Sequence, residues 1–445
     1  MFAAVLALAL CQSTPLDSIL SDDRLSGALV SCVVTDDVGQ TLYEKNSSLR
    51  LMPASNQKLL TNSYALAKLG PDYRPQTRIW KLKDRLVVDS PGDPMMTHER
   101  LQRAAKELGG NTKVPVYVRE AYSPFIPPSW ELDDLPNKYA APITAFTVDR
   151  GSFEVWAQGE KIWLEPRNYG LRPVRGVKTG KPQVFYDPIR RTMLVNGKMP
   201  TAAGVIDKLA LEKPNDSAAL YLGGRRVATA SVPTTPPTLI LGGPPLIETM
   251  RECLTRSDNN IAENLLLMAA LKDVKLGDHP YSVAPAQMRS FMIHGVGIDP
   301  QDFRPYDGSG MSRHNLVTTR GIAKLLLWDL QQPTGTVWLS ALDRPGSGTL
   351  TNRLEGVDFA GKTGTLDMVV ALSGYVKSKD NKTYIVSLIL NHFLCTEKEA
   401  RTIADKFIQK LYSGGAFGTV PATANNHEDR SAHQIALRPP LRRVF

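Results

Sequence analysis

Ser55-Asn56-Gln57-Lys58 sets a hydroxyl and an amine three residues apart, and on a helix positions i and i+3 project on one face. Pro53-Ala54 lead into the serine, Leu59, Leu60, Leu66 and Leu69 supply an apolar stripe, and Gly70-Pro71 ends it. The pattern predicts a helix that carries Ser55 at its N-terminus, where the helix dipole and free backbone N–H groups favour an anion. A lysine held in a dry, cationic cleft loses its proton near neutral pH and can activate that hydroxyl as a nucleophile. Alone the spacing is weak evidence, since chance supplies it in a chain of 445 residues and a solvated helix start explains it as well.

Two further elements follow in order. Ser257-Asp258-Asn259 falls in a short break between two helical patterns, where side chains can face a cleft. There Ser257 would relay a proton to a leaving amine and Asn259 would hydrogen-bond a substrate amide; the alternative reading is a plain helix cap, a role all three residue types fill. Lys362-Thr363-Gly364 opens a strand with Thr365 next, and Gly361 and Gly364 leave room for a substrate backbone along that edge. Lys362 would supply positive potential, Thr363 and Thr365 would bind a terminal carboxylate, and the N–H groups of Ser55 and Thr365 would form an oxyanion hole. This ordered trio is the one used by serine β-lactamases and penicillin-binding proteins. Lys178-Thr179-Gly180 repeats the third element but precedes the second, and Glu165-Pro166-Arg167-Asn168, similar to the deacylating loop of class A β-lactamases, is likewise out of order.

Longer segments carry a resemblance. Pro53 to Lys58, Gly92-Asp93-Pro94, Ser257 to Asn259 with Ala262-Glu263, Asp307 to Arg313, and Gly361 to Thr365 are similar to segments of the penicillin-binding protein 4 family, the low-molecular-mass class C D-alanyl-D-alanine carboxypeptidases and endopeptidases. The similarity covers most of residues 25 to 412. The gap from Ser55 to Ser257, 257 − 55 = 202 residues, is longer than in β-lactamases and suits this family's nested domains. The resemblance implies attack by Ser55 on the penultimate D-Ala carbonyl of peptidoglycan stem peptides, hydrolysis of the acyl-enzyme, and slow-leaving acylation by β-lactam antibiotics. It also offers Asp149 and Arg313 as substrate contacts, an acid and a base that would complement an amphoteric diaminopimelate side chain; structural ion pairing explains such residues as readily. Arg85 to Ser90 and Asp367 depart from the family pattern, and Asp367 bears on the choice of substrate side chain. A serine β-lactamase and a noncatalytic peptidoglycan-binding protein on the same fold stay open as rivals.

The elements that must bring these residues together read as follows. Residues 27 to 34 and 40 to 45 form a first hairpin, and 368 to 377 with 382 to 391 a second. Helical periodicity covers 246 to 256, 260 to 271 and 318 to 330, and Thr396 with Glu399 makes a capping box that starts a last helix, to about 412. Strands at both chain ends with helices between predict a multi-domain α/β fold, an antiparallel sheet flanked by helices, built from 15–75 and 237–415. Residues 76–236, short β-like pieces broken by Gly and Pro, read as an inserted mainly β region. The polar, basic tail 416–445 is expected to be disordered.

Composition narrows the remainder. With 42% hydrophobic and 22% charged residues the chain has globular proportions. Its net charge of +9 reads as a solvated surface; no nucleic-acid-binding pattern accompanies it, so no nucleic acid partner is expected. Seven histidines show no metal-ligand spacing, and catalysis is expected to need no cofactor and no metal. Residues 2 to 10 are an apolar run too short to span a bilayer, read as the core of a signal peptide over 1–14 despite the lack of a preceding Lys or Arg. The protein is therefore expected to be exported, periplasmic or extracellular, with at most peripheral membrane contact. Leu10 is too bulky for a lipoprotein box before Cys11. Cys32, Cys253 and Cys395 would remain, an odd number; buried, unpaired thiols are the expectation. Oligomeric state is not legible.

Overall fold

The computed structural model describes residues 13–417 apart from 111–112, 124, 167–170, 188 and 278. The expected signal peptide and basic tail therefore lie almost wholly outside the described residues.

Both chain ends build one antiparallel five-stranded sheet, in the order Phe359–Leu366, Val369–Lys377, Thr383–Asn391, Leu29–Asp36, Thr41–Lys45. Its central strands are apolar on both faces because both faces are covered. Cys32, Val34, Leu388 and Leu390 point to one core with Leu16, Ile403 and Phe407. Their neighbours Val33, Ile385 and Ile389 point to the other, with Leu59, Leu265 and Leu325; the period-2 pleat divides the two sets. The outer face is closed by Glu397–Ser413, whose buried Ala400, Ile403, Ala404, Phe407 and Leu411 form one stripe, and whose Thr396–Glu399 capping box satisfies its first N–H groups. On the other face Gln57–Leu69 and Asn259–Ala270 run through the largest core; residues 57 to 66 of the first are all buried.

Between them the chain adds three smaller sheets. One is five-stranded and mixed, in the order Arg226–Ala228, Val116–Glu120, Leu86–Ser90, Gln76–Lys81, Leu239–Gly242. Two of its pairings are parallel, and the crossover from 86–90 to 116–120 runs through the helix His98–Glu107, as parallel neighbours require. The insertion is mainly β, with this helix and Pro214–Leu222 packed among its strands, and pairing of 239–242 with 76–81 carries the inserted sheet past residue 236. Two three-stranded sheets complete the region: Gly204–Ala210, Ser152–Gln158, Lys161–Glu165, and Pro173–Arg175, Thr192–Asn196, Gln183–Asp187. All three share one apolar core.

Cys32, Cys253 and Cys395 are free thiols, the first two buried and Cys395 only half-buried, against the expectation that all are enclosed. No helix among the described residues is long and apolar enough to cross a membrane.

Candidate active site

Ser55 stands in a tight turn, Ala54–Asn56, that feeds directly into Gln57–Leu69. Ala54 holds φ +46°, a left-handed conformation costly for any residue with a Cβ, so its surroundings must enforce it. Two glycines do. A Cβ on Gly310 would lie 1.8 Å from the Ala54 carbonyl oxygen, and one on Gly364 would lie 2.8 Å from the Pro53 carbonyl oxygen and 3.2 Å from Ala54 Cβ. Gly364 thus seats the serine turn against its strand, a tighter task than clearing space for substrate.

One helical turn on, Lys58 is fully buried. Its Nζ lies 3.0 Å from Ser55 Oγ, 2.7 Å from Asn259 Oδ1 and 2.8 Å from the Ser309 carbonyl oxygen. Burial lowers its pKa, and the surrounding carboxylates, Asp307 and Asp258 among them, oppose that shift. A neutral amine has two protons and one lone pair: Asn259 and Ser309 take the protons, and the lone pair is left for the Ser55 hydroxyl.

Ser257 ends the helix Leu246–Arg256 in the left-handed region, φ +58°, and Asp258 caps the next helix, its Oδ1 accepting from Ile261 N–H at 3.0 Å. Capping therefore falls to Asp258, which leaves Ser257 and Asn259 facing a cavity of about 510 Å³ shared with Ser55, Thr365, Arg313 and Tyr139. The Asn259 amide is pinned at both ends, Oδ1 by Lys58 and Nδ2 by donation to the Tyr139 carbonyl at 2.9 Å. Arg150 ties this element to the inserted region through Glu252 at 3.0 Å and Asp258 at 3.2 Å.

Lys362 lies fully buried on Phe359–Leu366 and donates to the Thr363 carbonyl at 3.1 Å. Burial first, then the charge of Lys58, pulls its pKa to about 7. Thr363 is 6% exposed and its hydroxyl donates to Thr349 Oγ1, whereas Thr365 is exposed on the cavity wall. Beneath both lysines sits Cys253, whose thiol burial pushes up to about 11, so it stays protonated.

Arg313 and Asp149 separate. Arg313 lines the Ser55 cavity and is held by Glu131 Oε1 at 2.8 Å and the Asp367 carbonyl at 3.1 Å. Asp149 lines a second cavity, about 430 Å³, that shares only Tyr139, Ser257 and Asn259 with the first. It accepts from His98 at 2.8 Å, and burial raises its pKa. His98, Glu99 and Asp149 bring ligating atoms within 4.8 Å of one another, the one such group among the described residues; both ring nitrogens of His98 already face carboxylates. Lys178 is 64% exposed and pairs with Glu160, and Glu165 accepts from Tyr221, so neither out-of-order motif joins the cavity of Ser55; Arg167 and Asn168 lie outside the described residues.

The cage that carries Ser309 escaped sequence reasoning as a functional unit. Glu263 is fully buried and accepts from the N–H groups of Gly308 and Ser309 and from Tyr281; burial and the Asp307 charge push its pKa up to about 8. Asp307 accepts from Trp130, Gly310, Ser312 and Asn315. A single Glu in the apolar run Ile261 to Ala270 was the available signal, because a buried carboxyl needs donors. Tyr139, from the insertion, had none.

A family model described as the D-Ala-D-Ala carboxypeptidase 3 (S13) family matches residues 12–164 and 225–411. The stretch it omits includes the three-stranded sheet of 173–196. A D-alanyl-D-alanine carboxypeptidase of Actinomadura sp. is 28% identical over 429 residues, covering 82% of this chain and 78% of that protein. Penicillin binding protein 4 of Haemophilus influenzae superposes with a TM-score of 0.72 at 19% identity, over 89% of this chain and 98% of its own. A penicillin G acylated predatory endopeptidase of Bdellovibrio bacteriovorus superposes with a TM-score of 0.51 at 14% identity, over 86% and 91% of the two chains.

Proposed function

The chain belongs to the D-Ala-D-Ala carboxypeptidase 3 (S13) family, and from that premise we propose that Ser55 is the acylated nucleophile of a peptidoglycan DD-peptidase with Lys58 as its base. The observation that carries this reading is the buried amine 3.0 Å from the serine hydroxyl, with its other two hydrogen-bonding directions taken by Asn259 and Ser309. Ser55 Oγ attacks the penultimate D-Ala carbonyl as its proton passes to Lys58 Nζ. The oxyanion is received by the N–H groups of Ser55, which lies in the first turn Ala54–Asn56, where N–H groups lack a carbonyl one turn earlier, and of Thr365 on the cavity wall. Collapse breaks the C–N bond; the proton on Lys58 reaches the leaving amine through Ser257. Water then adds to the ester, losing a proton to Lys58, and Ser55 leaves with that proton restored.

Lys362 in its charged form, with Thr363 and Thr365, attracts the terminal carboxylate. Two ammoniums in one dry cleft repel, so one of the pair gives up its proton readily, and the reaction proceeds from the form in which Lys58 is neutral and Lys362 charged. Arg313 and Asp149, on the two cavities flanking Ser257 and Asn259, serve as contacts for the stem peptide on either side. Peptidoglycan lies outside the cytoplasmic membrane, so this reading carries with it export of the chain and acylation by β-lactams, as in the penicillin-acylated relative.

Defined monomeric and cross-linked muropeptides, incubated with wild type and Ser55→Ala and read by mass, test the assignment. Release of D-Ala or cleavage of the cross-link by wild type alone, with covalent labelling by fluorescent penicillin, supports it. Labelling of Ser55→Ala, or rapid penicillin turnover with no cleavage of muropeptides, overturns it.

A further inference from the structure

The sheet Gly204–Ala210, Ser152–Gln158, Lys161–Glu165 turns Phe153, Val155, Ala157 and Leu164 into the core of the insertion. Its pleat therefore turns Glu154, Trp156 and Gln158, paired with Glu165, Trp163 and Lys161, to the opposite face. There the two tryptophans stack, with ring centroids 5.8 Å apart and planes at 16°, and Lys161 Nζ stands 5.2 Å from the Trp163 ring. Trp156 Nε1 donates to Glu154 at 2.9 Å, and Glu154 pairs with Lys208 at 2.5 Å. Both rings are half-buried, and Trp163 already has Trp156 and Lys161 against it, so the aromatic surface the face offers is the exposed part of Trp156 and the ring edges, bordered by hydrogen-bonding charges.

This face is continuous with the catalytic groove. Glu154, Glu165 and Lys208 line the 430 Å³ cavity whose other wall includes Ser257 and Asn259. The tryptophan pair lies two residues further along its strands, roughly 7 Å. An extended four-residue peptide spans about 13 to 14 Å, and one acylating Ser55 and running past Ser257 and Asn259 would enter this cavity. We propose that Trp156 and Trp163 form a subsite for a sugar ring of the glycan strand to which the stem peptide is attached. A pyranose presents weakly positive C–H groups from its ring face and hydroxyl and amide groups from its rim, which matches the negative face of an indole and the charged border around it. The inference rests on the DD-peptidase reading for the identity of its ligand.

The test compares kcat/KM for one stem pentapeptide, free and carried on its N-acetylglucosaminyl-N-acetylmuramyl disaccharide. Wild type is expected to prefer the glycan-linked form about tenfold, the scale of one aromatic stack. Trp163→Ala removes most of that preference, and Trp163→Tyr restores part of it, whereas a purely structural pair would lower both rates together and leave their ratio alone. In parallel, the indole N–H resonances of wild type are followed during titration with a β-1,4-linked N-acetylglucosamine tetramer, which needs no variant to fold. Movement of the Trp156 and Trp163 signals supports the subsite; unmoved signals, or a ratio unchanged in Trp163→Ala, overturn it. Failure of wild type to release D-Ala from either substrate would instead strike the DD-peptidase reading, and the titration would still decide the sugar subsite.

Discussion

Replacing Lys362 by Met should leave only a small residual activity and make the protein more stable. The side chain is fully buried, its one hydrogen-bond partner among the described residues is the Thr363 carbonyl at 3.1 Å, and its pKa drops from the ordinary 10.5 to about 7. At ~1.4 kcal/mol per pH unit that difference corresponds to about 5 kcal/mol by which the fold disfavours the ammonium. The sign follows from proton counting. Between pH 7 and 10.5 the unfolded chain holds a proton on this lysine that the folded chain lacks, so wild-type stability rises with pH across that window and is flat for this group below it. Methionine is near in volume and never charged, and forfeits only the bond to Thr363, about 1 kcal/mol. The variant should therefore exceed wild type by about 3 to 4 kcal/mol near pH 7, an advantage that vanishes as pH approaches 10.5. Urea denaturation of both proteins at steps from pH 6.5 to 10.5 measures the gap; groups remote from residue 362 cancel in the difference, and what remains belongs to Lys362 and its coupling to Lys58. A gap that does not change with pH would show that residue 362 carries no buried, destabilised ammonium, and the account of carboxylate attraction would fall with it.

In wild type, kcat/KM should fall toward alkaline pH as Lys362 loses its proton and toward acid pH as the base Lys58 gains one, burial lowering the pKa of both; in Lys362→Met the upper limb should be missing from the residual rate, as a pH profile on a chromogenic ester would show. Gly364→Ala would set a Cβ 2.8 Å from the Pro53 carbonyl oxygen, shift the serine turn, cost about 1 to 3 kcal/mol, and slow penicillin acylation far more than stability alone explains; equal acylation rates would contradict the seating role. Glu263→Gln opposes an amide NH₂ to the N–H of Gly308 or Ser309, which should cost about 1 to 3 kcal/mol and, by moving the Ser309 carbonyl off Lys58, reduce the acylation rate; denaturant melts and labelling kinetics read the two effects separately.

Much of this protein was legible in its order of residues because the decisive signals were local. The hairpins at both chain ends, the helices after Ser55 and after Asp258, and the Thr396–Glu399 capping box are written in runs of a few residues, where pleat, helical period and capping chemistry act. The three motifs were readable for the same reason. What sequence order alone could not supply was long-range: that strand 239–242 returns to pair with 76–81, that the insertion is built on parallel strands with a helical crossover, and that Asp149 and Arg313 open onto different cavities. A parallel pairing leaves no turn signature, since its partners are joined through a crossover and not a hairpin. Likewise the desolvation of Lys58 and Lys362 belongs to neither residue. It comes from closing the Glu263 and Asp307 cage, the glycine-seated turn and the edge strand around one point, so the residue types that could do the chemistry are local information, while the dry environment that sets their proton affinities exists only once distant segments pack.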